Sequence, residues 1–231
     1  MVMKLYDLCA AERERRFSPY CWRIRLALAH KGLAVETIPW RLTDKAAIAF
    51  AGSTTVPVLV DGERSVADSW AIANYLEDTY PERPSLFEGA GGRAASRMIA
   101  QWTESVVHTG LARFVMLDIY HHLDPADRDY FRRSREQRVG ATLEAFCAER
   151  DRHLDDFRKS LEPLRRTLGL QKYLGGDHPL FADYLVFGAF QWARAISPYR
   201  VVEGSDPIAR WREQMLDLFD GLARKAPGYP L

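Results

Sequence analysis

The chain is poor in cysteine. Cys9, Cys21 and Cys147 are the only three in 231 residues, an odd number with no metal-ligand spacing. That argues against a disulfide framework and for a reducing compartment. Long apolar runs are missing as well: nothing approaches the roughly 20 residues of a membrane span. The opening residues, MVMKLYDLCAAERERR, lack the apolar stretch and cleavage site of a signal peptide. A cytoplasmic protein is the expectation. Nor does either sign of charge dominate. There are 32 basic and 31 acidic residues, ten and ten up to residue 80 and 22 and 21 beyond it. Neither half offers the basic footprint of a nucleic-acid or anionic-membrane partner. The runs ERERR and DPADRDYFRRSREQR mix both signs and read as solvated helix faces or loops. The pair His121-His122 suggests no metal, because adjacent helical positions point about 100° apart. What is present is 47% hydrophobic residues against 27% charged, enough for one large or two small cores.

The first 80 residues alternate strand and helix patterns in the order βαβαββα. VMKLYDL reads as a strand, and Pro19 to Lys31 as a helix with Gly32 at its C-terminal cap. AVETIPW is a second strand, and TDKAAIAFAG a short helix ending at Gly52. VPVLVDGERSVAD is a hairpin around Asp61-Gly62. From Asp68 to Thr79 runs a helix with Trp70, Ile72, Ala73 and Leu76 on its apolar side. Two prolines and three glycines in YPERPSLFEGAGGR then mark a linker. Beyond it every pattern is helical. One long helix extends from Ala94 to about Pro125. Another helical stretch runs from about Gln137 to Leu168, where Pro163 either kinks it or starts a new helix. FADYLVFGAFQWARAI is apolar nearly all round and should be a buried central helix. DPIARWREQMLDLF is a last helix capped by Asp206, with Pro207 in first position. The boundaries expected are 1–80 for the α/β domain, 81–93 for the linker and 94–231 for an all-helical domain.

Several residues sit where chemistry is done. Ser18-Pro19 is a helix start, with serine as cap and proline in first position. Ser18-Pro19-Tyr20-Cys21 also resembles the Cys-Pro-Tyr-Cys motif of glutaredoxins with the first cysteine replaced by serine. Cys21 lies in register with Ile24 and Leu28, which turns it toward the core. Val56-Pro57 enters a strand and is a candidate cis bond. Asp68-Ser69 opens a helix whose free amides and positive dipole end suit an anion.

Three motifs carry a family resemblance: SPYCWRIRLAL, VPVLVDG followed by Asp68-Ser69, and ADYLVFGAF at residues 182–190. Together, across the whole chain, they resemble the glutathione S-transferase superfamily. The likeness is greatest to its bacterial β-etherase-like and related fungal serine classes, with the zeta class next. The resemblance implies a thioredoxin-like N-terminal domain, an all-α C-terminal domain and a homodimer. It implies glutathione as co-substrate, with Val56 pairing its cysteinyl backbone beside cis Pro57 and Ser69, with Asp68, meeting its γ-glutamyl carboxylate. Lys45 is a candidate for the glycyl carboxylate, with Arg41 and Trp40 as further contributors. Ser18 would donate a hydrogen bond to the glutathione thiolate, which would attack an apolar electrophile such as an aromatic ether. Trp102, Phe114, Met116 and Tyr120 are candidates to line the electrophile pocket. Three alternatives stay open: thiol-disulfide or deglutathionylating chemistry at Cys21 or Cys9, a zeta-type cis-trans isomerisation, and a non-enzymatic ligand carrier. One position departs from the family pattern. Leu180 stands where a Ser or Thr cap is usual, three residues before Asp183, so that Asp177 or a backbone group must substitute.

Overall fold

The computed structural model describes residues 2–231. Strand β1 (Met3–Leu8) runs parallel to β2 (Val35–Trp40) and antiparallel to β3 (Val58–Asp61). The hairpin partner β4 (Arg64–Ala67) completes a sheet of order β2-β1-β3-β4. A parallel pair needs a crossover, and helix α1 (Pro19–His30) supplies it. The β3–β4 turn needs a residue at positive φ, and Gly62 provides it at 60°. Between β2 and β3 the expected short helix is a 3-10 helix, Lys45–Ala51, ended by Gly52 in the left-handed region at φ 64°. Only Ile48 of this segment is buried, so there is little packing to draw it into a longer α-helix. Helix α2 (Ser69–Thr79) packs Ile72, Ala73 and Leu76 inward. Trp70 lies partly buried, its ring 5.8 Å from Phe87 and 6.0 Å from Phe181. The N-terminal domain has the βαβαββα order that the sequence pattern predicts, and it is the thioredoxin-like domain that the family resemblance implies.

The helical half begins at Ala90, inside the glycine-rich segment, with α3 (Ala90–Trp102). A π-helical segment, Thr103–His108, joins it to α4 (Thr109–His122) with helical dihedrals at both junctions. The expected single long helix is therefore continuous in path but widened in its middle. Hydroxyls there bond back to carbonyls of the preceding turn, Thr103 Oγ1 to Ile99 at 2.8 Å and Ser105 Oγ to Gln101 at 2.8 Å. Such back-bonding competes with the regular ladder. The run after Pro125 is helix α5 (Pro125–Val139), ended by Gly140 at φ 71°.

The stretch expected to be continuous to Leu168 is broken instead. Helices α6 (Leu143–Ala148), α7 (Leu154–Ser160) and α8 (Glu162–Leu170) follow, with a 3-10 turn at Arg150–His153. Thr142 caps α6, and Pro163 stands in the first turn of α8, so it starts a helix rather than kinking one. Helix α9 (Phe181–Ile196) is buried on nearly every face, and α10 (Pro207–Gly221) closes the half from its Asp206 cap. Among the described residues no helix is long and apolar enough to cross a membrane.

Helix α9 also fixes the position of α1. A Cβ built on Gly188 would lie 2.5 Å from the carbonyl oxygen of Pro19, a backbone atom at the start of α1. Alanine gains up to about 1 kcal/mol of helix propensity over glycine. Overpacking against a backbone that cannot swing aside costs roughly 1–3 kcal/mol, and that effect wins. Gly188→Ala should lower the urea midpoint. A midpoint equal to or above the wild type would show that α1 yields freely.

The Leu180 departure is compensated by the backbone. Leucine has no acceptor, and the Asp183 N–H bonds the Leu180 carbonyl at 2.9 Å. The Asp183 carboxylate in turn accepts from the Leu180 N–H at 3.1 Å.

Candidate active site

A cleft of about 910 Å³ opens between the sheet domain and the helices. Ser18, Lys45, Val56, Pro57, Asp68 and Ser69 all line it, although they come from four separate segments of the chain. Ser18 is the N-cap of α1, its Oγ accepting from the Cys21 N–H at 3.2 Å. A hydroxyl that accepts one bond still has its own proton to donate. Trp22 Nε1 bonds the Arg16 carbonyl at 2.8 Å and pins the loop ahead of the cap.

The Val56-Pro57 bond is cis. Val56 precedes β3 and stands outside the sheet register. Asp68 caps α2, one oxygen accepting from Trp70 N–H at 2.9 Å and Ala71 N–H at 3.0 Å. It does so at φ 76°, an uncommon conformation for a non-glycine residue. Ser69 follows it, buried at the first position of α2. Lys45 donates to the Thr54 carbonyl at 2.6 Å, with its ammonium 4.8 Å from the Trp40 ring and 5.2 Å from the Tyr130 ring. Trp40 also lines the cleft, whereas Arg41 is committed to Asp124 at 2.9 Å.

The cysteines lie elsewhere. Cys21 is 0% and Cys9 1% exposed, and neither lines the cleft. Burial pushes the Cys21 thiol well up, with the nearby Asp7 adding to the effect, and burial raises those of Cys9 and Cys147 too. A raised thiol holds little thiolate at neutral pH. All three should react slowly with a thiol reagent in the native protein and rapidly in urea. A fast native phase lost in Cys21→Ala would contradict this placement.

Of the four residues expected to line the electrophile pocket, only Met116 does. Phe114 is in the core, its ring 5.4 Å from Phe157 and 5.2 Å from Tyr199. Tyr120 carries the Arg132 guanidinium at 4.4 Å, and Trp102 packs on the core outside the cleft. The reason is helical phase. The face that meets the cleft holds His108, Ala112, Met116 and Ile119, at the i, i+4, i+8, i+11 spacing of one stripe. That stripe is readable in the sequence once its phase is anchored.

Other residues at or behind the cleft wall carry signals of their own in the sequence. His108 ends the π-helical segment, a widened geometry often found at functional sites. The residue keeps some exposure, but its Nε2 is sealed from solvent and meets no hydrogen-bond partner. Burial, with Arg23 adding to it, lowers its pKa to about 3, so the ring is neutral. Arg23 stands behind the lining, buried on α1, with a nitrogen 3.4 Å from Ser69 Oγ and 3.6 Å from the Glu104 carboxylate. Its Nε and second terminal nitrogen are buried without partners. Arginines set among apolar residues of a helix, as Arg23 and Arg25 are in CWRIRL, are the signal for such a residue, since buried charges need partners. Tyr20 lies under that guanidinium, 4.6 Å from ring centre to charge. Burial and Glu104 push its hydroxyl up, keeping it protonated.

A sheet domain whose cleft is anchored at a serine-capped helix, backed by a helical bundle, defines a thioredoxin-like two-part class. Residues 14–84 match the family described as glutathione S-transferase, N-terminal domain, and residues 94–217 its C-terminal domain. The chain belongs to the glutathione S-transferase family, whose co-substrate is glutathione. It is 35% identical over 107 residues to glutathione S-transferase Z2 of Arabidopsis thaliana, covering 44% of this chain and 46% of that one. It is 27% identical over 211 residues to a probable glutathione S-transferase, GSTU6, of Oryza sativa subsp. japonica, covering 85% and 80%. The first relative is thus spanned over less than half its length. Among solved structures, glutathione transferase GSTFuA3 from Phanerochaete chrysosporium superposes with a TM-score of 0.77 at 29% identity, over 96% of this chain and 92% of that one.

Proposed function

We propose that the protein is a glutathione transferase that binds glutathione along the sheet side of the cleft and ionises its thiol at Ser18. The observation that carries the reading is the meeting of Ser18, Val56 and Ser69 on one cleft wall, two of them at helix N-termini. Residues 1–80 hold glutathione, residues 94–231 hold the electrophile, and 81–93 join them. The γ-glutamyl carboxylate meets the first turn of α2 through Ser69, beside Asp68. The cysteinyl backbone pairs with Val56 next to Pro57, as a short added strand does. The glycyl carboxylate reaches Lys45.

A free thiol has a pKa near 8.5, and lowering it by about two units requires ~2.7 kcal/mol. A charge-assisted hydrogen bond from Ser18 together with the dipole of α1 is of that size. The thiolate then attacks a largely apolar electrophile, an aromatic ether being one concrete case. The new bond joins sulfur to carbon, the carbon–oxygen bond breaks, and the departing aryloxide takes a proton from solvent. The protein acts in the cytoplasm as a homodimer, which sedimentation would read as twice the chain mass of 26.4 kDa.

Calorimetry with glutathione, followed by turnover with activated aryl halides and aryl ethers, tests the reading. Saturable glutathione binding and conjugate formation are expected. Absence of glutathione binding would refute it.

A further inference from the structure

The electrophile side of the cleft is not evenly apolar. Phe131, Arg135 and Arg138 follow one another on α5 at helical spacing, and all three line the cleft. They belong to the charge-rich run that reads as solvated surface from sequence. Their neighbour Arg132 is fully engaged, bonding Glu136 at 2.9 Å and Glu144 at 2.8 Å. Arg135 and Arg138 take part in no ion pair among the described residues. Arg135 reaches only the Ser134 hydroxyl, at 3.0 Å, and lies 4.9 Å from the Phe131 ring centre. Burial, and the charge of Arg138 beside it, lower its pKa from the usual arginine value. Arg138 is close enough across the cleft to pull down on the Tyr20 hydroxyl.

Two like charges held together, one largely desolvated, are costly without an anion between them. The acids nearby do not fill that place. Glu136 and Glu144 are held by Arg132, Glu104 faces Arg23, and Asp68 caps α2. Lys45 stands on the sheet side, at its Thr54 bond. His108 is neutral, so the positive charge on the electrophile side comes from α5. Around it Phe131, Phe146 and Trp192 supply ring-sized apolar walls.

We propose that the electrophile is an aromatic carboxylic acid, its ring seated among Phe131, Phe146 and Trp192 and its carboxylate received by Arg135 and Arg138. This rests on the transferase reading and narrows its substrate class. Planar guanidinium groups suit a carboxylate through paired N–H donors. With 4-chloro-3,5-dinitrobenzoate as probe, the glutathione thiolate attacks the carbon bearing chlorine. The carbon–sulfur bond forms, chloride leaves with the bonding pair, and the thiol proton goes to solvent. The ring carboxylate is unchanged throughout.

The test compares the glutathione conjugate of that acid with the conjugate of its methyl ester, both prepared chemically. Binding is read from tryptophan fluorescence on the wild type and on Arg135→Gln/Arg138→Gln, with glutathione alone titrated in parallel. The wild type should bind the acid conjugate more tightly. In the double variant the preference for acid over ester should fall about tenfold to a hundredfold, the range for lost hydrogen bonds to a charge. Arg138→Gln alone, at an exposed position, should give part of that fall and guards against a folding defect in the pair. An unchanged acid-to-ester ratio, with glutathione still bound, would overturn the inference and leave the transferase reading standing. The same holds if the variants weaken glutathione itself and spare the ratio, because the arginines would then serve the tripeptide. If the wild type binds neither glutathione nor either conjugate, the transferase reading falls and takes this one with it.

Discussion

Ser18→Ala should bind glutathione within a few-fold of the wild type and lose about ten- to a hundredfold in kcat. That is the range for removing a hydrogen bond to a charged partner, roughly 1.5–3 kcal/mol. The difficulty is that Ser18 has two jobs. Its Oγ caps α1 by accepting from the Cys21 N–H, and losing a serine cap costs about 1 kcal/mol of stability by itself. Glycine at a cap costs only a few tenths of a kcal/mol. Ser18→Gly therefore removes the hydroxyl while sparing most of the cap, and should lose as much turnover as Ser18→Ala with less loss of stability. Ser18→Thr retains hydroxyl and cap and should recover much of the rate. If kcat follows the melting midpoint across the three variants, the serine is structural and the chemistry lies elsewhere.

Asp183→Ala should have the largest effect on folding. This carboxylate is fully buried at the start of α9. It accepts from the N–H groups of Leu174 at 2.8 Å, Gly175 at 3.0 Å and Leu180 at 3.1 Å, and from Trp211 Nε1 at 2.9 Å. One side chain thus ties the loop before α9, the first turn of α9 and helix α10. Burial raises its pKa, although all four donors favour the charged form. Truncation leaves four donors without an acceptor. Each buried unpaired group costs about 1–3 kcal/mol, and water entering the space recovers part, so a net loss of roughly 3–5 kcal/mol follows. That is a large share of a typical total stability of about 5–15 kcal/mol. Asp183→Asn keeps one acceptor oxygen and should lose about half as much in urea titrations. Trp211→Phe, which removes a single donor, should lose less again. A tolerated Asp183→Ala would mean that the loop holds its place without the carboxylate.

What the sequence discloses and what it hides divide along a physical line. Ser18-Pro19, Asp68, Gly52 and Asp206-Pro207 mark element ends because capping is a contact among residues a few positions apart. Each stands at or within a residue of an observed boundary. Gly140 and Thr142 are signals of the same kind. They fall inside the stretch expected to be one helix from about Gln137, and they end α5 and begin α6 there. On the sheet side the cap, the X-Pro bond and the helix start mark only their own segments, and it is the family resemblance that implies their meeting at one cleft. Location in the cleft was not legible for α5. Whether the mixed charges at residues 124–138 meet water or a cleft depends on how α5 lies against α4, a tertiary fact with no local trace. Phe114 and Tyr120 show the same limit, since the period names a stripe but not the neighbour it faces. Arg23 does carry a local signal: a charge among apolar helix residues asks for a partner, and here Ser69 and Glu104 stand within 3.6 Å.

Central to the proposed chemistry is that the α1 terminus with Ser18 ionises the glutathione sulfur. Thiolate absorbs in the short-wavelength ultraviolet where the thiol does not, so a difference titration of bound glutathione reads its pKa directly. The prediction is a midpoint about two units below the value near 8.5 of a free thiol, rising toward that value in Ser18→Gly. A bound thiol that titrates like the free one, or a midpoint unmoved by Ser18→Gly, would contradict it.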